Sequence, residues 1–151
     1  MKYRRNIGLG ESLAIQMADF VRALQWPIQM LIPVPLSKNR LKERGYNQVG
    51  LVARPLAYYV GLMYEPGALQ KVRETRTQVG LTISQRRKKV QNAYQANPEV
   101  VRRKSILLRD DVATTGSTTS ACTEALLSAG AQEVYVLTIA RALSHHSLDR
   151  V

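Results

Sequence analysis

Apolar residues recur at Leu13, Met17, Val21 and Leu24, one stripe of a 3.6-residue period, and predict an amphipathic helix from Glu11 to Leu24. Trp26-Pro27 ends it, because the residue before a proline is pushed out of helical backbone. Ile28 to Val34 is a short apolar run closed by Pro33 and Pro35, the pattern of a buried strand entering a loop. A basic loop follows, up to Asn47, whose side chain suits the cap of a second helix. Pro55 falls inside that helix and predicts a kink or an early end. Leu69 to Val72 reads as a strand, Glu74 to Gly80 as a polar mobile stretch, Ser84 to Gln91 as a short basic helix, and Ala93-Tyr94 as another strand.

Beyond Pro98 the pattern sharpens. Ser105 to Leu108 is an apolar run followed by the acidic pair Asp110-Asp111. Ser117 to Ala129 has a helical period, with Ala121, Cys122, Ala125, Leu126 and Ala129 inward and Gly130 as its stop. Val134 to Ala140 is again an apolar strand. Strand, loop, helix and strand in that order make a βαβ unit, so the fold class is α/β, a mostly parallel central sheet flanked by helices.

Composition narrows the setting. The 151 residues suit one domain, and no apolar run approaches the length of a membrane span. The charged start Met1-Lys2-Tyr3-Arg4-Arg5 is not followed by the apolar segment of a secretory signal. One cysteine, Cys122, closes no internal disulfide and reads as a small buried apolar residue, so a reducing cytoplasm is the expected compartment. Twenty-two Lys and Arg against eleven Asp and Glu give a net charge of +11. That excess attracts polyanions without choosing among nucleic acid, acidic lipid and pyrophosphate-bearing metabolites. The cations come in clumps: Lys38, Arg40, Lys42 and Arg44, then Arg86 to Lys89, then Arg102 to Lys104. A single clump of this kind is more often a solvated face than a site.

The chemistry concentrates in Arg109-Asp110-Asp111-Val112-Ala113-Thr114-Thr115-Gly116-Ser117-Thr118-Thr119. A strand delivers two carboxylates to the carboxyl edge of the sheet, where open α/β folds bind ligands. Small and hydroxylated residues then enter a helix, so backbone N–H groups, hydroxyls and the helix N-terminus converge on a phosphate-sized space. Carboxylates beside a phosphate cradle repel it unless they face ribose hydroxyls or Mg²⁺. The segment is neither a Walker A loop, which needs a lysine, nor a dinucleotide fingerprint, which needs more glycines. The bland alternative is a turn at Asp110-Asp111 with Thr115-Gly116-Ser117 merely starting the helix.

The segment resembles the phosphoribosyl pyrophosphate (PRPP) motif of type I phosphoribosyltransferases. Pro33-Val34-Pro35-Leu36 with Arg44-Gly45-Tyr46-Asn47-Gln48, and Arg73, Thr75, Gln78, Leu81, Arg86 and Ala93-Tyr94, narrow the resemblance to the ComF family of phosphoribosyltransferase-like competence proteins. The likeness implies one domain, residues 1–151, with residues 1–27 as a small hood region and residues 28–151 as the PRPP-binding core. It implies that Asp110 and Asp111 meet the ribose hydroxyls, directly or through water on Mg²⁺. Ala113, Thr114, Thr115, Gly116, Ser117 and Thr118 would hold the 5-phosphate, and Pro33, Val34, Pro35 and Leu36 the pyrophosphate side. Arg73 to Arg86 would be a closing flap, with Arg44, Arg73 and Arg86 doing charge work on the leaving pyrophosphate. Many members open with a four-cysteine zinc-binding segment, whereas these residues hold one cysteine. Arg109 also departs from the pattern, since an apolar residue is commoner there; pairing with a neighbouring carboxylate would accommodate it.

Two functions remain open at this point. One is Mg²⁺-dependent transfer of phosphoribose to a nitrogenous acceptor. The other is a non-catalytic role in DNA uptake, through single-stranded DNA or a helicase-like partner. A homodimer is compatible with either. Tyr3 and Tyr58-Tyr59 could stack on bases but read more simply as packing, and His145-His146, as neighbours, point apart and make a poor metal pair.

Overall fold

Two apolar runs far apart in sequence form the centre of the molecule. In the computed structural model, which describes residues 2–73, 82–85, 92–113 and 116–141, β1 (Met30–Pro33) pairs in parallel with β5 (Ser105–Ala113). On one side β1 pairs with β2 (Met63–Tyr64), and on the other β5 pairs with β6 (Glu133–Arg141), both in parallel. The sheet order is therefore β2-β1-β5-β6. The crossover from β1 to β2 runs through α3 (Gln48–Val60), and that from β5 to β6 through α5 (Ser117–Ser128). The two crossovers step outward in opposite directions. Because such connections are right-handed, their helices fall on opposite faces, and a crevice opens between the carboxyl ends of β1 and β5.

Alternation along the strands sorts the core into two halves. Met30, Ile32, Ile106 and Leu108 pack with Cys122 and Leu126 of α5 and with a small antiparallel sheet of β3 (Leu69–Lys71) and β4 (Tyr94–Ala96). Leu31, Leu107 and Leu137 pack on the other face with Val52, Ala53 and Leu56 of α3 and with Ala14, Ala18 and Val21 of α1 (Lys2–Leu24). Tyr59 joins these helices: its hydroxyl donates to Glu11 at 3.0 Å, and Arg22 donates to its carbonyl oxygen. With its neighbour Tyr58 it makes an edge-to-face ring pair at 5.7 Å, so packing is the role seen for Tyr59. A short α4 (Pro98–Val101), capped by the Asn97 side chain, leads into β5.

Several expectations need correction. The helix expected from Glu11 starts at Lys2, because its first two turns carry no apolar stripe to announce them. The strand expected over residues 28–34 is limited to Met30–Pro33. The basic loop after it contains a helix, α2 (Lys38–Arg44), capped by Ser37 and closed by Gly45 in the left-handed region, φ 78°. It was hidden because none of its residues is buried, so no apolar period marks it. Pro55 does not end α3, which runs on to Val60. A proline at this position removes the N–H that would have bonded the Leu51 carbonyl four residues back. Gly10 of α1 lies against that same carbonyl, where an added Cβ would come within 2.8 Å of the oxygen. Asn47 caps α3 as expected, accepting from the Val49 N–H at 3.1 Å. Among the described residues no helix is long and apolar enough to cross a membrane. Most of the stretch Arg73 to Arg86, and His145-His146, lie outside the described residues.

Candidate functional site at the switch of the sheet

The crevice is bounded by the exits of β1 and β5. Pro33 is in register with Arg109, and the next residue, Val34, donates its N–H to the Arg109 carbonyl at 2.9 Å. The Val34 carbonyl accepts from Asn47 Nδ2 at 3.1 Å. The loop after β1 is thus tied to β5 on one side and to the start of α3 on the other. Val34 is buried, while Pro35 and Leu36 are partly exposed toward the crevice edge.

On the β5 side the strand does not stop at the acidic pair. Its pairing with β6 continues through Asp110, opposite Thr138, to Ala113, opposite Arg141. The turn considered for Asp110-Asp111 is therefore excluded. Extended backbone sends successive side chains to opposite faces, so the two carboxylates separate. Asp110 faces α5, where its charge acts on Tyr94 and Cys122. Asp111 faces α1 and α3, and Arg109 Nη1 donates to its Oδ1 at 3.2 Å. The expected pairing of Arg109 with a neighbouring carboxylate is what forms. The same Nη1 also donates to the Asp110 carbonyl, while Nε and Nη2 are buried and have no hydrogen-bond partner among the described residues.

Electrostatics differ on the two faces. Burial pushes the Asp110 carboxyl above the usual range; the Asp111 N–H, bonded at 2.8 Å, opposes the rise, Asp111's charge adds to it, and Arg109 counters it. Burial also lowers the Arg109 guanidinium, opposed by the charge and hydrogen bond of Asp111 and by the charge of Asp110. Tyr94 is raised well above its ordinary value by burial and by the Cys122 and Asp110 charges, against a Thr118 hydrogen bond and the charge of Arg40. Burial holds the Cys122 thiol protonated, which makes it packing rather than a nucleophile.

The helix that follows begins at Gly116, in left-handed backbone with φ 77°. Glycine brings no side chain to cap α5, so an anion could meet the helix start as a cap usually does. Thr119 Oγ1 turns back to the Gly116 carbonyl at 3.0 Å, bracing the turn. Ser117 is buried, and Thr118 lies close enough to Tyr94 to oppose the rise of its hydroxyl. Ala113 ends β5, whereas Thr114 and Thr115 lie outside the described residues.

The other sequence candidates spread out. Arg44, at the end of α2, is exposed and donates to Gln48 Oε1 at 3.5 Å. Arg73 is exposed just beyond β3, its N–H bonded to the Ala93 carbonyl at 3.3 Å. The β3–β4 pair sets Lys71 5.8 Å from the Tyr94 ring. Arg86 lies outside the described residues. Sequence reasoning did not assign Tyr94, Lys71, Arg40 or Gln48 to the site; only the pairing of β3 with β4 and the hidden helix α2 bring the first three near it.

Two cavities border these elements. One of about 250 Å³ lies between α1 and α3, lined by Leu9, Gly10, Leu13, Leu51 and Ile139, with Gln48 and Asp111 as its polar groups. A larger one of about 530 Å³ lies between β4 and α5 and touches the site residues only through Tyr94. No group of three or more His, Cys, Asp or Glu able to hold a metal occurs among the described residues. Asp110 and Asp111, on opposite faces, do not clasp one ion directly. The pair fits only a cation that a ligand carries with it and that is met through water.

Comparison with known proteins agrees with this geometry. No family model matches the chain. It is 32% identical over 149 residues to the DNA utilization protein YhgH of Salmonella typhimurium, covering 95% of this chain and 65% of that one. It is 35% identical over 134 residues to competence protein F of Haemophilus influenzae, covering 86% and 57%. The chain thus spans about three fifths of the length of these relatives. Among solved structures it superposes on a glutamine PRPP amidotransferase from B. subtilis, complexed with ADP and GMP, with a TM-score of 0.54 and 24% identity over 88% of this chain and 25% of that one. A hypoxanthine phosphoribosyltransferase of Trypanosoma cruzi gives a TM-score of 0.50 at 10% identity, over 91% and 65%. The chain is therefore similar, over about three fifths of their length, to competence protein F and the YhgH proteins, and is built on the type I phosphoribosyltransferase fold.

Proposed function

We propose that the chain binds PRPP at the crevice between β1 and β5, and that it transfers the phosphoribosyl group to a nitrogenous acceptor. The observation that carries this reading is the conjunction, at one sheet switch point, of the Asp110 carboxylate, a helix start with no side-chain cap at Gly116, and the Thr118 hydroxyl. The 5-phosphate would take the place of the missing cap, hydrogen-bonded by N–H groups of the first turn of α5. Asp110, across the turn, would accept from a ribose hydroxyl. Mg²⁺ bound by the pyrophosphate would offset part of the ligand's charge, and Asp110 would meet its water. Catalysis would be mostly positioning plus stabilisation of the departing pyrophosphate. The apolar groove beside Asp111 and Gln48 is the space for the acceptor in this reading.

Calorimetric titration of PRPP, with and without Mg²⁺, tests it. Asp110→Asn should weaken binding about tenfold or more, as expected when a hydrogen bond to a charged group worth roughly 1.5–3 kcal/mol is lost. A folded wild-type protein that binds no PRPP ends the reading. The second reading, a non-catalytic DNA-uptake protein, draws on the relatives' names and on exposed cations at both edges of the sheet: α2 at one, Arg102 and Arg103 at the other. Salt-dependent binding of a single-stranded oligonucleotide, unchanged in Asp110→Asn and without PRPP turnover, would favour it.

A further inference from the structure

Pro33 to Leu36 make a poor backbone cradle. Pro33 and Pro35 have no N–H, and the Val34 N–H is already bonded to the Arg109 carbonyl at 2.9 Å. Leu36 is then the one residue of the four with an N–H to offer. A group as highly charged as pyrophosphate needs donors from elsewhere at this exit.

The next element along the chain is α2. It has the sequence KNRLKER and no buried residue, so packing explains neither its place nor its four cations. Helical residues four apart share a side, which puts Arg40 with Arg44 and Lys38 with Lys42 on the other. The two sides meet different things. Arg44 reaches Gln48 at 3.5 Å, at the mouth of the groove that Asp111 lines. The positive charge of Arg40 acts on Tyr94, on the Asp110 face. Arg40, one turn before Arg44, lies on the same side of α2 as the residue that reaches this mouth. Among the described residues, Lys38 and Lys42 have no hydrogen bond or ion pair.

We infer that the Arg40–Arg44 side of α2 holds the pyrophosphate group of the ligand, doing the work that the proline-rich loop cannot do with its backbone. The inference rests on the PRPP reading of the crevice and adds to it a residue, Arg40, that the motif did not indicate. Guanidinium groups suit the task, since each presents a planar fork of donors to phosphate oxygens.

The experiment compares two double variants of equal charge: Arg40→Ala/Arg44→Ala and Lys38→Ala/Lys42→Ala. Alanine is the best helix former and α2 buries nothing, so both should fold, and circular dichroism checks this. Inorganic pyrophosphate, PRPP and ribose 5-phosphate are each titrated by calorimetry. The arginine variant should lose roughly tenfold or more in affinity for pyrophosphate and PRPP, while ribose 5-phosphate stays within about twofold. The lysine variant should resemble wild type for all three. Equal losses in both variants would mean diffuse attraction by net charge and overturn the inference. No loss in the arginine variant, with Asp110→Asn still weakening PRPP, would overturn it and leave the PRPP site standing. A wild-type protein that binds neither PRPP nor ribose 5-phosphate would remove the site reading, and this inference with it.

Discussion

The two faces of β5 carry the same side chain one residue apart and treat it differently. On the α5 face, the charge of Asp110 acts on Tyr94 and Cys122, and the carboxylate is compensated mainly by one backbone N–H. On the α1/α3 face, Asp111 is tied to a fully buried guanidinium by a salt bridge at 3.2 Å. Asp110 is a group the fold holds at a cost, the usual mark of a functional side chain. Asp111 is a group on which the fold depends, because it supplies the larger charge interaction and the side-chain hydrogen bond that compensate a buried cation. An acidic pair in a sequence is thus two separate devices once the strand runs through it.

The largest effect that would break this contrast is on stability. Asp111→Ala should cost about 3 kcal/mol in urea unfolding, near the low end for breaking a buried pair because Asp111 is partly exposed. Asp110→Ala should cost nothing or stabilise. Equal losses would show that the faces do not differ. Next, Arg109→Met should stabilise by about 1–2 kcal/mol, since it removes two buried nitrogens without a partner among the described residues and keeps the volume. In the Arg109→Met background Asp111→Ala should then become nearly neutral, a non-additivity that sharpens the assignment of the pair.

The smallest effect is on pH dependence. The Asp110 carboxyl is raised in the folded protein, so the folded state holds its proton more tightly than the unfolded state. Its contribution to stability is full below the ordinary carboxylate range and is lost as pH rises through the raised value. Asp110→Asn should therefore leave Tm unchanged at acid pH and raise it at neutrality, the gain growing as pH rises through the raised value. An unchanged profile would mean that burial does not strain this carboxylate.

Legibility in the sequence followed locality. The β5–α5–β6 unit could be read because its apolar periods, small-residue turn and terminating Gly130 lie within a few dozen consecutive residues. Asn47 could be read as a cap because capping is a contact two residues long. The separation of Asp110 from Asp111 could not, because the apolar run stops at Leu108. What keeps Arg109 to Ala113 extended is pairing with β6, a partner contributed from further along the chain. Helix α2 left no apolar trace, and Tyr94 joins the site only because β3 and β4 pair across a long connection.

Pro55 and Gly10 together give the α1–α3 contact something that greasy side chains rarely provide, a fixed zero on its scale. Leucine and alanine faces allow one helix to creep along another with modest repacking. A carbonyl released by a proline, seated where only a glycine leaves room, marks one longitudinal setting and penalises its neighbours. Sliding α1 by one turn, about 5.4 Å, would bring a side chain onto that oxygen. The notch is itself a wall of the groove beside Asp111, so the spacing of Leu9 and Leu13 from Gln48 is indexed to it. Two helices packed through apolar side chains can in this way present a groove of constant gauge.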